Sequence, residues 1–256
     1  MTESYLEALD QLSALHQKTA GLNPALEKRY PLAVVEGGVF LIHDIHPESG
    51  DYHFIQQALL PMPVLDGVRA AFQINELGGR IACVVTPDVF ATQEGFITIL
   101  HEFVHCFQYE TCEQNLKMGL DIARKALEVG NTMWEIEHPF PYSAEDFIKP
   151  YTQFLQALEK QDHDNMLNTR KILKSYLGVH DYEYMVWEEW KEGFARWVEN
   201  LVKRYLGMKE NKSGLQQPFS RLVFYAGGEA YIDYLAESYP PIVNDLTALF
   251  VRMQTI

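Results

Sequence analysis

Residues 99–108 read Ile-Leu-His-Glu-Phe-Val-His-Cys-Phe-Gln (ILHEFVHCFQ). Three ionisable side chains, His101, Glu102 and His105, stand in one of the most apolar runs of the chain. Taking an unpartnered polar group out of water costs on the order of 2–7 kcal/mol, so a buried segment of this kind needs compensating partners. Apolar residues from Phe96 to about Cys112 fall on nearly every side of a 3.6-residue period, which predicts a core helix. On that helix His101 and His105 share one face, about 6 Å apart along the axis. One zinc ion can meet both imidazoles at about 2.0–2.1 Å. Glu102 stands one step round the helix, where it can take a proton from water without ligating the metal. The pattern H-E-x-x-H thus accounts for all three polar groups. The plainer account, histidines hydrogen-bonded in a core, needs no metal.

Upstream of this helix the pattern is that of strands. Leu32–Val35 and Val39–Ile42, separated by Gly37-Gly38, predict a hairpin. Ile81–Val85, ended by Thr86-Pro87, is the clearest strand, and its edge is available in principle to an extended peptide. Thr2 is placed to cap a first helix carrying Tyr5, Leu6, Leu9, Leu12 and Leu15, and Leu65 to Leu77 reads as a short helix closed by Gly78-Gly79. Downstream the pattern is helical. Residues 113–180 form a stretch too long and too patterned for a loop. Pro139 and Pro141 break it, and Ser143-Ala144-Glu145-Asp146 reads as the next N-terminal cap. Within it Trp134–Tyr142 (WEIEHPFPY) is expected to pack or to cover a cleft. A long helix spans about Tyr184 to Leu206, Pro218 and Gly227-Gly228 bracket a loop and a turn, and a last helical region runs from Tyr231 to Val251. Strands early and helices late predict an α+β fold.

A catalytic zinc usually has three protein ligands. No third histidine follows His105 at the spacing H-E-x-x-H-x-x-G-x-x-H, so a carboxylate is expected. The candidates lie in the stretch 187–199, WEEWKEGFARWVE. Glu188, Glu192 and Glu199 fall near one helix face, and Glu189 about 100° away from Glu188. Glu188 and Glu189 read as a solvated acidic face. Glu192 does not, because it sits among Trp190, Phe194 and Trp197.

H-E-F-V-H followed by W-K-E-G-F-A-R-W-V-E resembles the gluzincin metallopeptidases, in particular the aminopeptidase N-like and peptidase MA-like groups, whose helices carry H-E-x-x-H and then E-G-x-A. The resemblance implies a zincin-like fold in which a small N-terminal sheet packs on the H-E-x-x-H helix. It also implies zinc held by His101, His105 and Glu192, with Glu102 as general base. A third block, Phe224–Leu235 (FYAGGEAYIDYL), resembles the family's Y-x-x-G helix start, and implies that Tyr225 faces the substrate carbonyl. Three departures stand out. The G-x-M-E-N-type stretch with which aminopeptidases grip a free amine is missing, and 86 residues, 106–191, separate His105 from Glu192. The thermolysin-like Asp four residues after the ligand Glu is replaced by Arg196.

Composition bounds the rest. The chain has 256 residues, 47% of them hydrophobic, and a formal net charge of -14. That charge argues against a nucleic-acid partner, since phosphate binding needs clustered Lys and Arg. Three cysteines in apolar surroundings read as reduced, buried thiols. No apolar run is long enough to span a bilayer, and the first residues are not a signal peptide, so a cytoplasmic protein is expected. The expectation is therefore one catalytic domain over 1–256, with sublobes 1–112, 113–180 and 181–256. It acts as a zinc metallopeptidase on a peptide or protein substrate. An amidase or other small-molecule hydrolase, a zincin-fold binding protein without turnover, and a helical protein with a chance motif are the rivals.

Overall fold

The computed structural model describes residues 5–60 and 67–255. The expected cap Thr2, and residues 65–66 of the expected short helix, lie outside the described residues. By its internal contacts the chain divides into two compact units, one formed by Met1–Thr111 with Val198–Lys209, the other by Cys112–Trp197 with Glu210–Ile256.

In the first unit, helix α1 (Leu6–Thr19) precedes a five-stranded mixed sheet. Its strands are β1 (Leu32–Glu36), β2 (Val39–Ile45), β3 (Tyr52–Leu59), β4 (Arg69–Ile74) and β5 (Arg80–Val85), in the order β3-β2-β1-β5-β4. Gly37 and Gly38 both have positive φ, 58° and 80°, as a two-residue hairpin between twisted strands requires. That turn sets Glu36 opposite Val39 and so fixes the register of β1 on β2. β1 and β5 run parallel. Both are buried on both faces: Ala33, Val35, Ala82 and Val84 join Phe40, Ile42, Ile74 and Leu77 in one core, while Leu32, Val34, Cys83 and Val85 are buried on the other side.

Two expectations fail here for one reason. Arg69–Ile74 is a strand, not part of a helix, because pairing with β5 outweighs the helix preference of Ala70 and Ala71. Having β4 on one side and β1 on the other, β5 offers no edge to a peptide. Helix α2 (Gln93–Gln108) follows β5 and packs on β4 and β5. It continues into a π-helical turn, Tyr109–Glu113.

The second unit is helical: α3 (Gln114–Gly119), α4 (Asp121–Glu128), α5 (Trp134–Glu137), α6 (Glu145–Glu159), α7 (His163–Tyr176), most of α8 (Val179–Tyr205), α9 (Leu222–Ser238) and α10 (Leu246–Gln254). Helix α6 starts where expected, yet its N-cap is Ala144 with no side-chain cap bond, so Ser143 does not cap it. Trp134 and Phe140 of the WEIEHPFPY segment are buried, Trp134 against Trp187 and Phe140 against Phe147 and Phe224. This segment packs into the aromatic core of its unit. Gly227 and Gly228 lie inside α9, not in a turn. They serve close approach of helices: a Cβ on Gly193 of α8 would stand 2.6 Å from the Gly228 Cα, and one on Gly227 would strike the Tyr151 ring.

The fold is α+β, as expected, with the sheet in the first half of the chain and most of the helices after it. Cys83, Cys106 and Cys112 are free and buried. No helix among the described residues is long and apolar enough to cross a membrane.

Candidate metal centre

Helix α2 begins at a Thr92 cap, whose hydroxyl accepts from the Gly95 N–H at 3.1 Å. The helix then carries His101, Glu102 and His105 two to three turns into the core, and all three are buried. Each imidazole is oriented from behind. The Nδ1 of His101 lies 3.1 Å from Glu199 Oε2, and that of His105 lies 2.9 Å from Gln108 Oε1. Both partners are acceptors, so each Nδ1 carries the proton and donates it outward. Each Nε2 is then a lone-pair donor, and the two Nε2 atoms face each other at 3.2 Å. Two lone pairs at that distance repel unless a cation or proton joins them. Two ligands about 2.0–2.1 Å from one tetrahedral ion would stand about 3.3 Å apart. The pair has the spacing of two ligands of one metal.

Helix α8 brings the carboxylates. One ligand atom each from His101, His105 and Glu192 lie within 4.8 Å of one another, in the one group of three or more such residues, among those described, whose geometry suits a metal ion. A buried His101/His105/Glu192 group can therefore hold a metal. Glu192 bonds Arg221, whose Nη2 donates to its Oε1 at 2.9 Å, and Tyr225, whose hydroxyl is hydrogen-bonded to its carboxylate. Burial and the Glu192 charge push the Tyr225 phenol well above its usual value, so it stays a protonated donor. Arg196 stacks on the Tyr225 ring at 5.5 Å and donates to the carbonyls of Asn211 and Ser213.

The acidic residues beside Glu192 are not solvated. Glu188 and Glu189 are both fully buried. Burying a lone carboxylate is prohibitive, and here each has an arginine as counter-charge. Arg170 of α7 pairs with Glu189 at 2.6 Å, and the Tyr151 hydroxyl adds a bond at 2.8 Å. Arg221 pairs with Glu188 at 2.7 Å. Burial pushes the Glu188 carboxyl up, to about 8, against the pull of that guanidinium. Glu199 is paired in turn with Lys203 at 3.1 Å, and Lys203 with Glu94 at 2.7 Å.

Sequence reasoning named His101, His105, Glu192 and Tyr225, and missed Gln108, Lys203 and Arg221. Gln108 and Lys203 had a local signal. They follow His105 and Glu199 by three and four residues, on the same helix faces. Arg221 had none, standing 29 residues after Glu192. A cavity of about 900 Å³ is lined by residues including Ser13, Arg29, Asp44 and Arg80, and by none of the His101/His105/Glu192 group.

Comparison with protein-family models, with curated proteins and with solved structures gives no significant match.

Proposed function

We propose that this protein is a zinc-dependent hydrolase, and that it is a gluzincin-type metallopeptidase of zincin-like fold, cleaving peptide bonds. The observation that carries the reading is the facing pair of Nε2 atoms at 3.2 Å, both rings anchored through Nδ1, with a Glu192 oxygen in reach. Two imidazoles and one carboxylate are the donor set of a catalytic zinc with an open fourth position. When bound, zinc supplies a Lewis acid that polarises a carbonyl and lowers the pKa of water.

The chain's own residues do the rest. Glu102, adjacent to His101 on α2, accepts the proton of the attacking water and passes it to the leaving amine. Tyr225 donates to the carbonyl oxygen as negative charge gathers there, a role that its protonated phenol suits. Glu199 and Gln108 hold the two imidazoles in the tautomer that a metal needs.

The test is digestion of a peptide library by the zinc-loaded protein, beside a panel of small amides. Cleavage of peptides that stops in Glu102→Gln supports a peptidase. Turnover of small amides with intact peptides would replace that reading by an amidase. Bound zinc with no turnover on either panel would leave a binding protein.

A further inference from the structure

The carboxylate of Glu192 is held by a cation that no motif announces. Arg221 stands just before α9, and its guanidinium takes two carboxylates that lie one helical turn apart on α8. Its Nε donates to Glu188 Oε2 at 2.7 Å and its Nη2 to Glu192 Oε1 at 2.9 Å. The guanidinium also lies over the Tyr225 ring at 5.6 Å. Glu188 is fully buried, and its Oε1 has no hydrogen-bond partner among the described residues. Among the described residues, the hydrogen bond that holds Glu188 comes from Arg221.

We infer that Arg221 is the positioning residue for Glu192, its rigid fork anchored on Glu188 and fixing the Glu192 carboxylate for the metal. The inference rests on the metal reading above. Two arguments carry it. A glutamate has several rotamers, and a planar fork bonded to one oxygen selects among them while a carboxylate's second oxygen serves a metal. The same planar guanidinium spans both side chains, so its bond to Glu188 fixes the direction from which it meets Glu192, one turn further along α8. Glu188 has no task at the metal in this arrangement. It is the fixed end from which Arg221 is aimed.

The test measures zinc affinity by chelator competition on the whole chain, together with the visible spectrum of the cobalt-substituted protein. Arg221→Met combined with Glu188→Gln removes the cation and its anchor together and strands no charge at position 188. Zinc affinity should fall about 10–100-fold, the range for lost partners of metal ligands, and the cobalt spectrum should change. Arg221→Lys keeps the charge, but a point charge cannot span both carboxylates, so affinity should still fall, by about tenfold. Parental zinc affinity and a parental cobalt spectrum in both variants would overturn the inference. So would a metal-free protein less stable than the parent but with parental affinity, since Arg221 would then be structural. A parent chain that binds no zinc would overturn the metal reading itself, and this inference with it.

Discussion

The Nε2 atoms of His101 and His105 lie 3.2 Å apart, and each ring turns its Nδ1 to a different acceptor, a carboxylate for His101 and an amide for His105. The difference has a measurable consequence. A charged acceptor raises the basicity of its imidazole more than a neutral one does. Replacing Glu199 or Gln108 by Ala should weaken zinc binding about 10–100-fold, with Glu199→Ala the more severe. Equal affinities for both variants and the parent, by chelator competition, would mean that neither residue orients a ligand.

Glu102 separates binding from chemistry. Glu102→Gln keeps shape and hydrogen bonding but cannot accept a proton. Zinc content should stay at the parental value, and turnover should fall about 10²–10⁴-fold, the usual contribution of a general base. A Gln variant with parental turnover would remove Glu102 from the mechanism.

Tyr225 and Tyr231 stand six residues apart on α9 and differ in surroundings. Tyr225 bonds Glu192, while Tyr231 packs in the core between Phe154 and Arg170. Tyr225→Phe should lower kcat about 10²–10³-fold with little change in KM and with zinc retained. Tyr231→Phe should keep kcat. The opposite ranking would show that the wrong tyrosine serves the carbonyl.

Glu135 gives a pH dependence with a definite sign. Burial would raise its carboxyl, but Lys191 at 2.7 Å and Lys117 at 2.6 Å outweigh burial and hold it at about 2. A carboxyl depressed on folding contributes stability above its unfolded pKa, near 4.5, and loses it as pH falls toward 2. The contribution at neutral pH is on the order of 3 kcal/mol. The unfolding midpoint should drop between pH 5 and about 2 in the parent, and the drop should be smaller in Glu135→Gln. Parallel pH curves for the two proteins would contradict this.

What the sequence made legible follows interaction range. The Gly37-Gly38 hairpin, the strand β5 and the helices α2 and α8 rest on local periodicity and turn chemistry, and all four stand in the structure. His101 and His105 were legible because four residues is one helical turn. Glu192 was singled out by its aromatic neighbours, and it belongs with the two histidines to the group that could hold a metal ion. The failures depend on distant partners. Arg69–Ile74 is a strand because β5 pairs with it, and Gly227-Gly228 is a helix crossing because Gly193 lies opposite. Glu188 and Glu189 are buried because Arg221 and Arg170, 33 and 19 residues away, reach them. Nothing local distinguishes such glutamates from a solvated acidic face.

The central claim is that His101, His105 and Glu192 hold one zinc ion. The most direct measurement is the metal content of protein purified without added zinc, read beside His101→Ala, His105→Ala and Glu192→Ala. The account expects about one zinc per parent chain and severe loss in each variant, because two remaining ligands cannot complete the coordination shell. A parent chain that takes up no zinc even when it is supplied, or a Glu192→Ala variant with full occupancy and parental affinity, would contradict it.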